Sequence, residues 1–299
     1  MARGSVDIVN KYLDRILVPP GEKISLKKDY DAGFGKGRLT PEQADAALAE
    51  SVETLTRDQE KLYADDRYSL LLIFQAMDAA GKDGTIKHVL SGVNPQGCEV
   101  TSFKAPSNEE LDHDYLWRCA VRLPRRGMIG IFNRSYYEEV LVVRVHPELL
   151  AKQKIPPECK DKKIWSRRFD HINNFERYLT ENGTIVLKFF LYVSKKEQKQ
   201  RFLERLEKPE KNWKFSAADA NERRFWSDYM AAYEDAFNHT STKWAPWYII
   251  PADDKPFMRV LVAGVIARKL QKMKIRFPVV EGEHIQELQR ARELLEKED

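Results

Sequence analysis

Cysteine is scarce in this chain of 299 residues. Its three cysteines, Cys98, Cys119 and Cys159, are an odd number and contain no CxxC spacing. A disulfide framework and a zinc cluster both need more cysteines at closer spacing, so the sequence disfavours both. A reducing compartment fits this cysteine usage best, and we expect the protein to be cytoplasmic.

Long uninterrupted apolar runs are also missing. The first twenty residues, MARGSVDIVNKYLDRILVPP, mix charges with apolar side chains, which disfavours a secretory signal. The late apolar run at 260–267 is far shorter than the roughly 20 residues that a membrane-spanning helix needs. We therefore expect a soluble protein that has no membrane partner.

The chain has no strong excess of either charge. Lys and Arg number 50 and Asp and Glu number 46, which gives a net charge of +4. This excess is too small to argue for nucleic acid as a partner, so any basic site must come from local clustering. An apolar fraction of 42% is sufficient for a large core and excludes a disordered protein.

Five short apolar runs alternate with helical stretches. They are SLLLIFQ (69–75), CEVTSF (98–103), MIGIF (128–132), TIVLKFFLYV (184–193) and WYIIPA (247–252). Apolar strands separated by helices are typical of a parallel sheet covered on both faces, so the sequence predicts an α/β fold with five parallel strands. Thr40, Pro41 and Gln43 form a capping signal that predicts a helix reaching about Asp65.

The stretch FQAMDAAGKDGTIKHV (74–89) ends the first run with a Gly-Lys pair. The usual phosphate-binding loop is GxxxxGK[ST] after a strand. Here Ala76 replaces the first glycine and Asp83 replaces the hydroxyl residue. The preceding strand and the following helix still favour a phosphate site, because a helix N-terminus attracts anions. The alternative is a plain strand-to-helix turn with a surface lysine.

A second stretch, IFNRSYYEEVLVVRVH (131–146), follows the third run at the sheet edge where open parallel sheets bind ligands. Arg134 can neutralise charge on a transferred phosphoryl group there, and Glu138 can hold a metal ion or a substrate hydroxyl. Because magnesium prefers oxygen ligands, Asp78 and Glu138 would replace the missing loop hydroxyl. The alternative is that Asn133 caps a helix whose charges face solvent.

A third stretch, SKKEQKQRFLERLEKPEKNWKF (194–215), follows the fourth run and is rich in cations. Helical spacing predicts one exposed face for Arg201, Arg205 and Lys208. The residues predicted to pack beneath that face are Phe202, Leu203 and Leu206. Its position indicates a lid over a phosphate site. The alternative is a solvated helix surface.

These stretches, with GVNPQG, DYLWR and STKWAPWYIIPA, resemble the polyphosphate kinase 2 family from about residue 58 to about residue 270. The resemblance implies a three-layer, thymidylate-kinase-like P-loop core with a five-stranded parallel sheet. It implies reversible transfer of the terminal phosphoryl group of inorganic polyphosphate to purine nucleotides, with magnesium or alternatively manganese. It also implies a homo-oligomer, either a dimer or a tetramer.

The second stretch departs from the pattern of many family members, which carry Asp-Arg-Ser where this chain has Asn133-Arg134-Ser135. Asn133 with Glu138 resembles the subgroup that phosphorylates nucleoside mono- and diphosphates. The implied acceptors are AMP and then ADP, with GMP and GDP as further candidates. An ATP-dependent nucleoside monophosphate kinase is the alternative, and a non-catalytic nucleic-acid-binding module is a second.

The resemblance also implies the functional residues. The implied catalytic residues are Asp78, Lys82, Asn133, Arg134 and Glu138. The implied nucleotide-binding residues are Asp78, Gly81, Arg118, Arg122 and Glu138, with the acceptor phosphate between Asp78, Arg118 and Glu138. The implied metal ligands are Asp78 and Glu138. The implied polyphosphate-binding residues are Lys82, Asp83, Gly84, Lys87, Arg134, Arg168, Arg201, Arg205 and Lys208.

We expect three segments along the chain. Residues 1–57 form an N-terminal extension and helix, 58–275 form the kinase core with a lid at about 194–225, and 276–299 form a charged C-terminal helix. Within the extension, LKKDYDAGFGKGR (26–38) either covers the phosphate channel or contacts another subunit.

Overall fold

The computed structural model of the protein describes residues 4–212 and 217–298. Its strands are β1 (Ser69–Ala76), β2 (Cys98–Ser102), β3 (Ile129–Asn133), β4 (Thr184–Tyr192) and β5 (Trp247–Pro251). Its helices are α1 (Ser5–Ile16), α2 (Leu26–Asp29), α3 (Pro41–Asp65), α4 (Lys82–Val89), α5 (Asn108–Asp112), α6 (Trp117–Ala120), α7 (Val142–Val145), α8 (Pro147–Lys152), α9 (Ile164–Glu181), α10 (Lys195–Glu207), α11 (Pro209–Asn212), α12 (Ala217–Glu222), α13 (Trp226–Thr240), α14 (Lys255–Met273) and α15 (Glu283–Leu295). Short 3₁₀ segments are Pro95–Gly97, Tyr136–Val140, Pro157–Cys159 and Arg223–Phe225.

The strands form one sheet in the order β2-β3-β1-β4-β5, and every pairing is parallel. The predicted α/β fold with five parallel strands is therefore confirmed. The middle of central strand β1, from Leu70 to Phe74, is at most 1% exposed. Such a strand needs apolar residues on both faces, which is why this segment is a continuous apolar run rather than an alternating one.

Helices cover both faces of the sheet. Phe189 of β4 stacks on Phe74 and Tyr248, its neighbours on the adjoining strands. Lys188, the residue before it, points to the opposite face because side chains alternate along a strand. There its ammonium donates to Glu176 of α9 at 2.6 Å. Helices α9 and α13 lie on that face, and α3, α4 and α14 pack together on the other.

The predicted helix after Thr40 is present as α3. The Thr40 hydroxyl accepts from the backbone N–H of Gln43, and the Gln43 side chain accepts from the backbone N–H of Thr40. This reciprocal pair satisfies two N–H groups that the helix start would otherwise leave unbonded. The helix ends before Asp66, which has a left-handed φ of 50°.

The N-terminal segment belongs to the core. Val9 and Ile16 of α1 are fully buried. Helix α1 lies so close to α14 that a Cβ added at Gly264 would come within 2.6 Å of the Ser5 carbonyl oxygen. Only glycine permits that approach. Gly264, near the end of the kinase core, therefore allows the first helix of the N-terminal extension to pack closely against α14.

The stretch 26–38 lies at the carboxyl edge of the sheet. The backbone carbonyl of Ala32 accepts from the N–H of Asp253, just after β5, and the ammonium of Lys36 contacts the Asp253 carboxylate at 3.3 Å. The ring of Phe34 packs edge-on against Phe257 at the start of α14. The stretch therefore packs against the segment that follows β5, and its two interpretations, covering the phosphate channel or contacting another subunit, both stay predictions.

The predicted C-terminal charged helix is present as α15, whose residues are all exposed. Across residues 4–212 and 217–298, the structure contains no helix with the length and apolar character needed to cross a membrane.

Candidate active site

The loop between β1 and α4 has the geometry of an anion cradle. Gly81 has a φ of 108°, a conformation that favours glycine, and Ala79 also has a positive φ of 60°. The ammonium of Lys82 folds back over the loop and donates to the carbonyl of Ala76 at 3.1 Å. Burial lowers the pKa of Lys82, and the nearby Arg134 lowers it further. The carboxylates of Asp78, Glu138 and Asp83 act in the opposite direction on the pKa of Lys82.

Arg134 joins the loop to the end of β3. Its backbone φ of 65° is unusual for a non-glycine residue, and its N–H donates to the carbonyl of Phe74. Its guanidinium contacts Asp78 at 3.2 Å and Glu138 at 3.3 Å. All three side chains are partly exposed, so this group of one cation and two carboxylates can contact a ligand.

A residue that sequence analysis missed positions Glu138. Gln75 is 1% exposed at the end of β1. With its amide oriented to suit its neighbours, it donates to Glu138 at 2.9 Å and accepts from the backbone N–H of Ser135 at 3.2 Å. Burial raises the pKa of Glu138, while Arg134 and Lys82 act in the opposite direction. The sequence offered one signal for this role, because Gln75 is a polar residue at the end of the apolar run 69–75.

Two cavities meet at Arg134. The first, which we call the loop cavity, has a volume of about 300 Å³. It is lined by Ala76, Met77, Asp78, Arg134, Glu138, Val142, His146, Asp219, Glu222, Tyr229 and Tyr233. The second, of about 390 Å³, lies beside the start of α4 and is lined by Asp83, Ser102, Phe103, Lys104, Ala105, Asn133 and Arg134. Arg134 is therefore the side chain that both cavities share.

Asn133 and Asp83 are neighbours in the second cavity, where the Asn133 amide donates to the Asp83 carboxylate at 2.7 Å. No group of three or more His, Cys, Asp or Glu side chains suited to a metal occurs in the described parts of the chain. Asp78 and Glu138 supply two partly exposed carboxylates instead. That donor set fits magnesium or manganese only if a substrate provides further oxygens, as phosphates do.

The first turns of α4 carry three of the implied polyphosphate-binding residues. Asp83 and Lys87 are exposed and Gly84 is half-buried. Arg205 is half-buried with its guanidinium 5.6 Å from the Phe202 ring, and Lys208 is exposed at the end of α10. The role of these five residues in binding polyphosphate stays a prediction.

Arg201 corrects the predicted lid surface. It is only 4% exposed, so it does not share an exposed face with the next two cations of α10. Its guanidinium donates to the carbonyls of Ala79 and Ala80 at 3.1 and 2.8 Å and to the carbonyl of Ala252 at 2.6 Å. It also pairs with Glu197 at 2.9 Å. Arg201 thus ties the phosphate loop to the loop after β5.

The apolar side chains of α10 require a matching correction. Leu203 and Leu206 were predicted to pack beneath the cations, yet they are 48% and 50% exposed. Phe202 is buried as predicted. The prediction failed because it assumed a single inner apolar face, whereas the inner face also carries Arg201, whose polar contacts are all with backbone or a paired carboxylate.

The structure does not bring Arg118 into the loop cavity with Asp78 and Glu138, and the contact of Arg118 with the acceptor phosphate stays a prediction. Its guanidinium donates to the carbonyl of Lys104 at 2.7 Å and contacts Glu110 at 3.4 Å. It lines a separate cavity of about 610 Å³. Arg122, the other predicted nucleotide contact, is exposed in the turn after α6. Arg118 lies on the short helix α6, which follows the short helix α5. The sequence did not predict how these two helices are oriented relative to the sheet.

Arg168 is buried at the edge of the same cavity that Arg118 lines, and its role in binding polyphosphate stays a prediction. It is 2% exposed and donates to the carboxylate of Glu139 at 3.0 Å and to Gln153 at 2.6 Å. Glu139 follows Glu138 on the same 3₁₀ segment but points to the opposite side. Arg168 therefore supports that segment from the side opposite Glu138.

The helix after β4 contributes one further contact that sequence analysis missed. Gln198 is 1% exposed, and its amide donates to the carbonyl of Asp78 at 2.9 Å. Arg223 donates to the oxygen of the same amide at 2.5 Å. Gln198 and Arg201 lie three residues apart, so the helical spacing was visible, but nothing indicated that they face the loop.

Comparison with known proteins agrees with this geometry. The family model described as polyphosphate kinase 2 matches residues 38–278. The chain is 50% identical to an ADP-polyphosphate phosphotransferase of Rhodopseudomonas palustris, over 94% of this chain and 97% of that protein. It is 44% identical to an AMP/ADP-polyphosphate phosphotransferase of Meiothermus ruber, over 87% and 94% respectively. The crystal structure of polyphosphate kinase 2 from Arthrobacter aurescens is similar, with a TM-score of 0.84, 37% identity and 98% coverage of both chains.

Proposed function

Because the chain belongs to the polyphosphate kinase 2 family, we propose that it transfers the terminal phosphoryl group of inorganic polyphosphate to nucleoside mono- and diphosphates. The observation that carries this proposal is Arg134, which contacts Asp78 and Glu138 and lines both cavities. A cation shared by two cavities can stabilise a phosphoryl group as it passes between a donor and an acceptor.

The donor phosphate would bind the loop, where backbone N–H groups and Lys82 face it at the start of α4. The acceptor phosphate would enter the loop cavity beside Arg134. An oxygen of the acceptor attacks the terminal phosphorus as the bond to the rest of the chain breaks, and the shortened polyphosphate keeps the electron pair. Positioning and charge neutralisation dominate such a reaction, so no dedicated base is required.

Asp78 and Glu138 would hold the magnesium ion, since they are the carboxylates that flank Arg134. When bound, the ion supplies further neutralisation of phosphate charge and orients phosphate oxygens. Gln75 would keep Glu138 pointed into the cavity. Manganese would support the same role because it also accepts carboxylate and phosphate oxygens.

Donor binding would extend beyond the loop along exposed cations of α10 and α4. Arg205, Lys208 and Lys87 carry this role in the proposal, whereas Arg201 and Arg168 are engaged within the fold. A polymeric donor favours a long basic track, while ATP requires only a few cations and a base pocket. This difference separates the proposal from an ATP-dependent nucleoside monophosphate kinase.

We propose both AMP and ADP as acceptors, on the basis of Asn133 and Glu138 and of the M. ruber relative. Asn133 is neutral, so it repels a second acceptor phosphate less than a carboxylate would. We also propose a cytoplasmic homo-oligomer, as inferred from the cysteine usage and the family.

A coupled assay tests these proposals directly. The protein is offered AMP, ADP, GMP or GDP with magnesium and either polyphosphate or ATP as donor. With AMP and excess polyphosphate, ADP should appear first and ATP should follow. Turnover with ATP alone would favour the alternative kinase, and a time course that stops at ADP would contradict the dual-acceptor proposal.

A further inference from the structure

We propose that Glu222, beside His146 in the loop cavity, recognises the amino group of a 6-aminopurine and so selects adenine nucleotides as acceptors. This inference rests on the proposed function and adds the choice of base to it. Glu222 ends helix α12 and lines the loop cavity.

The loop cavity is lined by Asp78, Arg134 and Glu138 and also by the contacting pair His146 and Glu222. Glu138, Val142 and His146 line one side at intervals of four residues. Glu138 belongs to the 3₁₀ segment and His146 directly follows the short helix α7, so His146 lies one short helix along the chain from Glu138. In the proposed binding mode, a nucleoside monophosphate with its phosphate at Arg134 would extend its base toward His146.

An aromatic wall faces that side. Tyr233 and Tyr229 lie one turn apart on α13 and both line the cavity. Burial raises the pKa of Tyr233, and the carboxylate of Glu138 raises it further. The hydroxyl of Tyr229 donates to Glu222 at 2.5 Å, so Tyr229 lies beside Glu222. A base can stack on such a ring.

The contacts of Glu222 leave one oxygen available. Its Oε1 accepts from Nε2–H of His146 at 2.6 Å and from the Tyr229 hydroxyl. Its Oε2 has no hydrogen-bond partner among residues 4–212 and 217–298. The Glu222 side chain is 31% exposed and lines the loop cavity, so a ligand in that cavity can reach it. His146 and Tyr229 fix the carboxylate while using only one of its oxygens.

The chemistry of one free carboxylate oxygen selects adenine. An ionised carboxylate only accepts hydrogen bonds. The 6-amino group of adenine is a donor and needs a single acceptor. Hypoxanthine and guanine present a carbonyl oxygen at the same position, which the carboxylate repels. The N1–H and 2-amino pair of guanine calls for two carboxylate oxygens side by side, and Oε1 is already occupied.

The test compares AMP, IMP, GMP and purine ribonucleoside 5′-monophosphate, which lacks the 6-amino group. Both kcat/KM with polyphosphate and the dissociation constant without polyphosphate are measured. The wild type should prefer AMP to IMP by at least about 10²-fold, because IMP leaves the carboxylate facing an acceptor. Equal binding of AMP and the nucleotide without the amino group overturns the inference without any variant.

The decisive variant is Glu222→Gln, which keeps the shape and supplies an amide that can donate. The preference for AMP over IMP should fall at least about tenfold, with IMP improving in absolute terms. The matched control is Asp219→Asn at the other α12 carboxylate that lines the cavity, which should leave the ratio within about twofold. An unchanged ratio in Glu222→Gln, or a loss of preference confined to Asp219→Asn, would refute the assignment.

The two readouts separate this inference from the proposed function. A base preference that shifts in the binding measurement, without turnover in the wild type, would support Glu222 and contradict the proposed activity. Turnover with polyphosphate and an unchanged base preference would support the activity and contradict Glu222.

Discussion

Arg201→Lys should damage the phosphate loop rather than weaken donor binding alone. Arg201 donates to the carbonyls of Ala80 and Ala252 at 2.8 and 2.6 Å, which joins two loops through one planar group. Lysine keeps the charge but has a single ammonium and cannot bridge both loops as the guanidinium fork does. The substitution therefore leaves buried carbonyls on at least one loop without a donor.

The magnitude follows from these contacts. A hydrogen bond to a charged group contributes about 1.5 to 3 kcal/mol, so losing two at the lower end costs about 3 kcal/mol. For domains of 150–250 residues each kcal/mol lowers Tm by about 2 to 4 °C, which gives a decrease of about 6 to 12 °C. Displacing the loop by about 1 Å should also lower kcat/KM by about 10²-fold with either substrate varied.

The assay combines thermal unfolding with steady-state kinetics in polyphosphate and in acceptor. Arg205→Lys is the matched control, because Arg205 is half-buried one helical turn away on the same helix. Its Tm should stay within about 2 °C, since surface substitutions change stability by about 0.5 kcal/mol or less. The reasoning is refuted if Arg201→Lys keeps the wild-type Tm and raises only the KM for polyphosphate.

Lys82→Met should lower kcat by about 10²- to 10³-fold with little change in Tm, because it removes a cation from the transferred phosphoryl group; activity within threefold of wild type would contradict this role. In the wild type, kcat/KM should fall as pH rises through the lowered pKa of Lys82, since the neutral amine cannot offset phosphate charge. The double variant Arg205→Gln with Lys208→Gln should raise the KM for polyphosphate and leave the KM for the acceptor constant. Its activity should also fall less steeply with added salt than that of the wild type. An unchanged salt dependence would mean that these residues only form a solvated helix face. Lys188→Met should lower the free energy of unfolding, measured by urea denaturation, by about 3 to 5 kcal/mol, because it leaves Glu176 buried without its cation. A smaller effect would mean that the hydrogen bonds from the surrounding tyrosines are enough to stabilise the buried Glu176 side chain.

The sequence was sufficient to predict the sheet and the loop. Apolar runs such as 69–75, separated by helical stretches, predicted the strands of a parallel sheet, and each of the five predicted strands ends within one residue of the observed end. The phosphate loop was recognisable despite Ala76 and Asp83, because its strand and helix context is local. Thr40 and Gln43 likewise placed the start of α3, since a capping box involves residues three apart.

The location of the side chains near the ends of β1 and β3 could also be predicted from the sequence. In a parallel sheet the carboxyl ends of the strands lie at one edge, so the loop after β1 and the stretch after β3, with Asp78 and Arg134, were expected at that edge. The structure brings them within 3.2 Å. The roles of Asp78 in metal binding and of Arg134 in phosphate binding stay predictions.

What only the tertiary structure decided is which way the helical side chains face. Helical spacing places Arg201 and Arg205 on the same face of α10. It does not predict whether that face is exposed to solvent or packs against the phosphate loop. Arg201 is buried because carbonyls of two loops, far apart in sequence, converge on it. Glu222 and His146 are 76 residues apart and meet through the packing of α12 and α13 against α7. Such contacts depend on the relative placement of whole elements, which no local pattern of residues encodes.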